Sequence, residues 1–221
     1  MAHRAEAAPS VPSSREARRA KRRLGADPEA WDEAYRADEF ARLHTLKEAP
    51  RYGIIGAWLR HLVPDDGHVL DGGCGEGALV RHVLRDRSGV HYTGFDVSAV
   101  ALETARRVIG PDDAHRARLI RAGLADFEPP DPAERYDAIV LTEVLSYSGE
   151  SVSWLPRFRR WLAADGVMVV TLQHPRRPDS GANGPFRAMH ATMDGDMWTV
   201  LDRATLTNPR SGNAWDLWVF R

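Results

Sequence analysis

Short apolar runs alternate with amphipathic stretches through the middle of the chain. The run at 136–141 is almost continuously apolar, which is typical of a strand buried on both faces. The pattern predicts strands near 68–70 and at 91–96, 118–121, 136–141 and 167–172, with helices at 77–87, 99–109 and 155–163. Strands that alternate with helices predict an α/β fold around a mostly parallel sheet.

The C-terminal part has a different pattern. Residues 173–196 are rich in Gly, Pro, Asn and Arg, and we expect a long loop of the kind that is usually functional or mobile. Residues 197–207 and 214–220 alternate like strands and flank the turn-forming sequence 208–213. Together they predict a terminal hairpin.

Two helices are predicted before the first strand. Asp27 is a favourable N-cap, and Pro28 then takes the first helical position, where its missing N–H costs nothing. Pro50 interrupts the helical pattern, and a second helix is predicted over 52–62. Five large apolar residues of the first stretch are predicted to share one broad face: Trp31, Tyr35, Phe40, Leu43 and Leu46.

Composition excludes several classes of protein. The 221 residues are 43% hydrophobic and carry a formal net charge of −1, which argues against a nucleic-acid partner, and no apolar run reaches membrane-spanning length. Residues 1–26 contain a basic block at 15–23, and we expect a disordered, solvated arm there. The N-terminus lacks the apolar region of a signal peptide, so a cytoplasmic location is expected.

The metal-ligating residue types are sparse. Cys74 is the single cysteine, so no intrachain disulfide can form, which is consistent with a reducing compartment. The nine histidines are scattered without a ligand-like spacing. We therefore expect no metal site.

A glycine-rich loop follows the first predicted strand and carries the strongest chemical signal. Its acidic residue and three glycines have the spacing Asp71-x-Gly73-x-Gly75-x-Gly77. A dinucleotide-binding loop is the main alternative, but an acid at its mouth would oppose the pyrophosphate anion, which binds bare N–H groups at a helix N-terminus. A ligand-free turn is the other alternative, and three glycines are costly for that purpose.

This loop resembles motif I of the class I S-adenosylmethionine (SAM) methyltransferases. The resemblance implies that Asp71, Gly73, Cys74, Gly75 and Gly77 bind SAM, whose amino and sulfonium groups are cationic. Asp96 ends the second strand, with Val97 beside it, and the resemblance places it on the ribose hydroxyls. Asp96 also lies where it can cooperate with Ser98, which is expected to cap the next helix.

Further cofactor contacts are less specific. After the third strand, Leu124 stands where the family often has an acid, so Leu124, Ala125 and Asp126 are candidates near the adenine, with a solvated loop acid as the alternative for Asp126. The segment around 31–52 resembles the start of the nodulation-factor N-methyltransferases. That resemblance implies that Arg51 meets the SAM carboxylate and that two further residues lie near the cofactor, with a surface arginine and simple core packing as the alternatives. These two residues are Trp31 and Tyr35.

The family resemblance also implies the architecture. The fold class is α/β, a Rossmann-like seven-stranded, mostly parallel sheet of order 3-2-1-4-5-7-6 flanked by helices, with an N-terminal helical lid. A single methyltransferase domain is expected over 27–221. It would comprise a lid at 27–62, a cofactor-binding core at 63–172, and a substrate loop with the terminal hairpin at 173–221.

Methyl transfer from a sulfonium is an in-line displacement in which most of the catalysis comes from alignment. A base is needed only where the acceptor must lose a proton early, and the candidates at the carboxyl edge of strands four and five are His174, Glu143 and His190. The resemblance also makes Glu143 a candidate contact of the cofactor. A hydrogen-bonded structural histidine is the alternative for each histidine.

The sequence predicts transfer to N or O of a small molecule, because the Asn/Asp-Pro-Pro-aromatic loop of enzymes that act on adenine or amide nitrogens is absent. A SAM-binding enzyme for cyclisation or aminopropyl transfer, a non-catalytic scaffold, and a homodimer are left open.

Overall fold

A seven-stranded sheet forms the centre of the computed structural model, which describes residues 27–147, 151–175 and 183–221. The strand order is β3-β2-β1-β4-β5-β7-β6, and only the pairings made by β7 are antiparallel. This order confirms the predicted fold class. The strands are β1 His68–Gly72, β2 His91–Asp96, β3 Ala117–Arg121, β4 Tyr136–Thr142, β5 Leu162–Gln173, β6 Val200–Thr207 and β7 Ala214–Phe220.

Helices cover both faces of the sheet. On one face, α2 and α3 bury side chains such as Ile55 and Val83 against the odd-numbered positions of β1 and β5. On the other face, α5 and α6 bury Phe158 and Met189 against the alternate positions of those strands. The described helices are α1 Pro28–Arg36, α2 Ala49–Leu62, α3 Val80–Leu84, α4 Ala99–Asp113, α5 Trp154–Arg159 and α6 Asn183–Met193.

Side-chain alternation explains why the central strands are apolar on both faces. In β1, Val69 packs into one core and Leu70 into the other, and both are fully buried. In β4, Ile139 and Val140 divide in the same way. Because successive side chains of a strand point to opposite faces, a sheet covered by helices on both sides needs continuous apolar runs.

Several predicted boundaries differ from the structure. The second N-terminal helix begins at Ala49, so Pro50 lies in its first turn and does not precede it. The helix expected at 77–87 spans only Val80–Leu84, because the loop before it continues to residue 79 and Gly77 has a positive φ of 79°. The helix expected at 155–163 ends at Arg159, and β5 then begins at Leu162 rather than at 167. Tertiary pairing with β4 extends β5 beyond its apolar run.

The predicted loop at 173–196 is also wrong in part. Residues 183–193 form α6, which buries Met189 and Met193. Glycine and proline near its start obscured a helical spacing that packing against the second core stabilises. Residues 176–182 lie outside the described part of the chain, and so do residues 1–26, on which the prediction of a basic arm falls.

The N-terminal segment follows the predicted capping. The Asp27 side chain accepts a hydrogen bond from the Glu29 amide at 3.0 Å, and α1 then starts at Pro28. Trp31, Tyr35, Phe40 and Leu43 share one apolar cluster as expected, but Leu46 is 87% exposed and lies outside it. The error arises because α1 ends at Arg36, so helical spacing no longer applies at Leu46.

Within residues 27–147, 151–175 and 183–221, no helix has both the length and the apolar character that a transmembrane segment needs.

The junction between β1 and the glycine-rich loop leaves no room for a side chain. A Cβ at Gly72 would lie 2.6 Å from Leu141 Cδ2 and 2.9 Å from Phe95 Cζ, and both of these residues are buried. We expect Gly72→Ala to lower the free energy of unfolding by about 1–3 kcal/mol, the usual cost of overpacking. Urea unfolding of the purified variant measures this change.

Gly53→Ala in α2 is the matched control, since a Cβ there meets nothing within 4 Å. We expect it to raise stability by about 0.5–1 kcal/mol through helix propensity. A Gly72→Ala variant as stable as the parent would contradict the packing described for this junction.

Candidate functional site

The glycine-rich loop turns sharply at three positions. Gly73, Gly75 and Gly77 have φ values of 69°, 53° and 79°, a region that other residues rarely adopt. The amides of Gly73 and Cys74 both donate to the Phe95 carbonyl, at 2.8 and 3.0 Å, which fixes the loop to β2. The turn therefore exposes backbone at the carboxyl edge of the sheet, where open α/β folds bind ligands.

Asp71 is buried immediately before this loop. Its Oδ2 accepts a hydrogen bond from Tyr92 Oη at 2.8 Å, whereas Oδ1 is buried with no hydrogen-bond partner in the described structure. Burial raises the pKa of Asp71 to about 7, although the bond from Tyr92 acts in the opposite direction. A buried acceptor without a donor is costly, and a cationic ligand would supply one.

Asp96 connects the loop to the following helix. One carboxylate oxygen accepts from the Gly75 amide and the other from the Ser98 amide, both at 2.9 Å. Ser98 in turn caps α4 by accepting from the Ala101 amide at 3.1 Å. Burial raises the pKa of Asp96 to about 6, and the amide bonds oppose this shift. The expected contact of Asp96 and Val97 with a ribose stays a prediction.

Arg51 is buried rather than on the surface, so the surface alternative is wrong. Only 1% of it is exposed, and its guanidinium donates to Glu48 Oε2 at 2.9 and 3.2 Å. It also reaches Thr171 Oγ1 at 3.4 Å and Tyr52 Oη at 3.3 Å. Arg51 thus brings a positive charge to the carboxyl edge of the sheet, where it is already paired with one carboxylate.

Glu143 lies at the end of β4 with a strained backbone. Its φ is 60°, which is uncommon for a residue other than glycine and often accompanies a functional site. Its Oε1 accepts from Thr171 Oγ1 at 3.0 Å and its Oε2 from the Gln173 amide at 3.1 Å. Arg51, Thr171 and Glu143 therefore form one connected polar chain along the sheet edge.

These residues surround one small cavity of about 60 Å³. It brings together several predicted cofactor residues from separate parts of the sequence. Those among its lining residues are Tyr35, Arg51, Asp71, Gly73, Cys74, Gly75 and Glu143. Tyr35 Oη lies 2.8 Å from the position of a Cβ built at Gly75, so the N-terminal segment closes directly onto the loop.

An aromatic cluster extends this closure. Trp31 contacts Tyr147 with ring centroids 4.9 Å apart and stacks on Phe40 at 5.6 Å, while Tyr35 contacts Phe40 at 4.7 Å. Trp31 itself does not line the cavity. Core packing therefore accounts for Trp31 here, whereas Tyr35 both packs in the cluster and faces the cavity.

The predicted adenine contacts lie apart from the cavity. Leu124, Ala125 and Asp126 follow β3, and none of them is among the lining residues. Leu124 packs partly buried against the second core, while Ala125 and Asp126 are exposed. The exposure of Asp126 agrees with the alternative of a solvated loop acid, and its role near adenine stays a prediction.

The two predicted histidines meet at a buried carboxylate that the sequence analysis missed. Asp216 on β7 is 2% exposed, and His190 Nε2 and His174 Nε2 lie 2.8 and 3.0 Å from its oxygens. The pKa of Asp216 lies below its ordinary value. Burial acts against this shift and is outweighed by the bond from Thr205, the contact with His174 and the charge of Arg203. An acid within an otherwise apolar strand was the available signal for this residue.

Cys74 is buried, and burial raises the pKa of its thiol, so it does not have the environment of a nucleophile. Within the ranges that the structure describes, no group of three or more His, Cys, Asp or Glu side chains could bind a metal ion.

Comparisons with known proteins find that the chain is similar to methyltransferases. Residues 70–168 match the model of a methyltransferase domain family. Trans-aconitate 2-methyltransferase of Delftia acidovorans is 30% identical over 122 residues, 55% of this chain and 42% of that protein. (S)-coclaurine N-methyltransferase of Thalictrum flavum subsp. glaucum is 29% identical over 108 residues, 48% of this chain and 28% of that protein. The chain thus matches less than half the length of these curated relatives.

Solved structures show the same fold. A SAM-dependent methyltransferase from Thiobacillus denitrificans in complex with S-adenosyl-L-homocysteine aligns with a TM-score of 0.64 at 15% identity, covering 83% of this chain and 95% of that one. The [4+2]-cyclase SpnF aligns with a TM-score of 0.59 at 17% identity, covering 76% and 80%. The segment 70–168 is therefore similar to a methyltransferase domain, and the chain has the fold of these SAM-dependent methyltransferases.

The buried acids predict an unusual pH dependence of stability. Between the ordinary aspartate value near 4 and about 7, Asp71 is protonated in the folded chain and ionised in the unfolded chain. The folded state binds more protons, so the free energy of unfolding falls as the pH rises through this window. Asp71→Asn is neutral at every pH, and we expect it to reduce this fall and leave the contribution of Asp96.

Urea unfolding at about pH 5 and about pH 7.5 measures the effect. Asp126→Asn, a change at an exposed acid, is the control and should keep the parent's slope. An Asp71→Asn variant with the same slope as the parent would show that Asp71 is not the group responsible.

Proposed function

We propose that the protein transfers a methyl group from SAM to an oxygen or nitrogen of a small molecule. The observation that carries this proposal is the unpartnered buried Oδ1 of Asp71, which lies beside a loop that turns at three positive-φ glycines. A carboxylate in that position suits a cationic ligand and disfavours a pyrophosphate. This supports SAM over a dinucleotide.

The cavity's donor set agrees with the methionine end of SAM. Asp71 would accept from the ammonium group, and Arg51 would meet the carboxylate through the planar fork that suits such an anion. Gly73 and Gly75 lack the Cβ atoms that would keep the cofactor from the backbone. The loop and Asp96 would place the ribose, and Leu124, Ala125 and Asp126 would reach the adenine side.

The residues of the chain act mainly by alignment. SAM supplies a methyl carbon activated by the sulfonium, whose departing thioether is neutral and needs no acid. Glu143, held by Thr171 and the Gln173 amide, would orient groups at the acceptor side of the edge. Closure by Tyr35 and Trp31 would exclude water, which strengthens electrostatic contacts with the cofactor.

The N-terminal segment at 27–62 is proposed as a lid over the core at 63–172. Two contacts support this role besides the aromatic cluster. Asp32 accepts from Ser98 Oγ at 2.6 Å, and His44 Nε2 lies 3.0 Å from Glu76 Oε2 in the glycine-rich loop. The segment would therefore close where SAM binds, and the part at 173–221 would complete the acceptor side.

Small-molecule acceptors are favoured by the relatives named above. We also propose a cytoplasmic location, because the only cysteine is a free, buried thiol, and no nucleic-acid partner, because the chain is nearly neutral. A homodimer stays a prediction. Cyclisation or aminopropyl transfer would use the same cofactor site, and mass spectrometry of the product separates them from a gain of one methyl group.

Calorimetry with SAM and S-adenosylhomocysteine tests the proposed cofactor. We expect the parent chain to bind both, and Asp71→Asn to bind SAM less tightly because it loses a charged acceptor for the ammonium. A hydrogen bond to a charged group contributes about 1.5–3 kcal/mol, which corresponds to a loss of roughly 10- to 150-fold in affinity.

Asp165→Asn is the matched control, since its side chain is 99% exposed near the start of β5 and pairs only loosely with Arg221. It should bind SAM like the parent. If neither ligand binds the folded parent chain, or if Asp71→Asn binds SAM unchanged, the proposed cofactor site is wrong.

A further inference from the structure

Asp216 gathers donors from three other elements. Its Oδ1 accepts from Thr205 Oγ1 at 2.6 Å and lies 3.0 Å from His174 Nε2. Its Oδ2 accepts from Arg203 Nη2 at 3.1 Å and from His190 Nε2 at 2.8 Å. A buried carboxylate with four such neighbours stays ionised, fixes the orientation of the His190 ring by a hydrogen bond, and attracts His174 at ion-pair distance.

The two histidines are not equivalent. His190 Nε2 faces Asp216 and its Nδ1 lies 3.3 Å from Arg203 Nη2, so both of its ring nitrogens are engaged. His174 has its Nε2 buried against Asp216, in ion-pair distance but without the alignment of a hydrogen bond. Its Nδ1 has no partner in the described part of the chain, and 36% of the side chain is exposed. Both ring nitrogens of His190 are therefore engaged by protein groups, whereas the partly exposed His174 keeps Nδ1 available.

His174 is the neighbour in sequence of a residue that bonds to the cavity edge. His174 directly follows Gln173, whose amide donates to Glu143 Oε2 at the cavity edge. The His174 amide donates to the Ala214 carbonyl at 2.8 Å, which fixes the backbone to the start of β7. Its ring contacts Phe186 of α6 with centroids 4.8 Å apart, so α6 supports one side of the ring.

We propose that His174 is the general base of the transfer reaction, that Asp216 positions it, and that the acceptor atom is therefore a hydroxyl oxygen of a phenol or alcohol. The inference rests on the proposed function and chooses between the two acceptor atoms that it allows. A neutral amine acceptor needs no base of this kind, whereas a hydroxyl must lose its proton as the new bond forms. An outward nitrogen held by a buried carboxylate is the arrangement of a base and its orienting group.

The proposed step balances in atoms and charge. The hydroxyl oxygen attacks the methyl carbon, the O–C bond forms, and the C–S bond breaks with its electron pair going to sulfur. His174 Nδ1 takes the hydroxyl proton, and Asp216 stabilises the imidazolium that results. The products are the methyl ether and the neutral thioether, and the imidazolium releases its proton to solvent.

The groups that face His174 determine how the reaction depends on pH. Asp216 from β7 is negative, His190 from α6 shares this carboxylate, and Arg203 from β6 is positive but directed to the other carboxylate oxygen. Glu143 lies beyond Gln173. Protonated His174 cannot accept a proton, so kcat/KM should rise with pH and then level off.

Turnover by the full chain with SAM and three probe acceptors tests the proposal. The probes are 3,4-dihydroxybenzoate for hydroxyls, tetrahydroisoquinoline for amines and trans-aconitate for carboxylates. We expect methylation of the hydroxyl probe, and His174→Gln should lower its kcat by about 100-fold or more with little change in KM. The variant should lose the acid limb of the pH profile and recover rate as the pH approaches the pKa of the phenol.

Three variants separate the base from a structural histidine. His115→Gln, at an exposed histidine after α4, should leave every readout unchanged. His190→Gln should lower thermal stability, because it removes a hydrogen-bond partner of the buried Asp216. His174→Gln should bind SAM in calorimetry like the parent. Methylation of the amine or carboxylate probe alone, or an unchanged pH profile in His174→Gln, would overturn the proposal and leave the methyltransferase function standing.

A measurement without any acceptor completes the test. In ¹⁵N-histidine NMR of the parent chain, neutral His174 should carry its proton on Nε2 and leave Nδ1 unprotonated, and Asp216→Asn should disturb this tautomer. A His174 protonated on Nδ1 would overturn the proposal even if none of the probes turns over. Failure to bind SAM in calorimetry would instead reject the proposed function itself.

Discussion

The hydrogen bonds that Asp96 accepts are the interaction on which the rest of the site depends. One carboxylate accepts from Gly75 in the glycine-rich loop and from Ser98 at the start of α4. It therefore joins β2, the loop and the helix in one buried unit. Without this acceptor, the glycine-rich loop would lose the hydrogen bond that holds Gly75 to the end of β2. The cavity that Asp71 lines would then no longer have a fixed shape. The cost of burying this acid is visible in its raised pKa.

A second constraint comes from the parallel pairing of β4 and β5. Thr142 lies opposite Thr171, so the residues that follow both strands reach the same edge of the sheet. Glu143 then bonds to Thr171 and to the Gln173 amide, and Arg51 reaches the same threonine from α2. Polar and charged groups that are far apart in the sequence therefore form one hydrogen-bonded network, because the carboxyl ends of parallel strands lie at the same edge of the sheet.

Predictions from local pattern were accurate where local physics dominates. The alternation of strands and helices, the Asp27 cap and the positive-φ glycines agree with the structure because each depends on a few neighbouring residues. The strand order agrees as well, and it was implied by the family resemblance. The predictions failed where distant contacts decide. The segment at 183–193 became a helix because the second core covers its methionines, and Leu46 became exposed because α1 ends ten residues before it.

The sequence by itself determined the class of the fold and the position of the loop, since apolar periodicity and glycine spacing act through short-range sterics and burial. Only the tertiary structure decided what the polar residues do. Arg51 changed from a possible surface arginine to a buried partner of Glu48, and Asp216 brought His174 and His190 together from separate elements. Side-chain partners across a fold depend on three-dimensional packing, which the order of residues along the chain does not display.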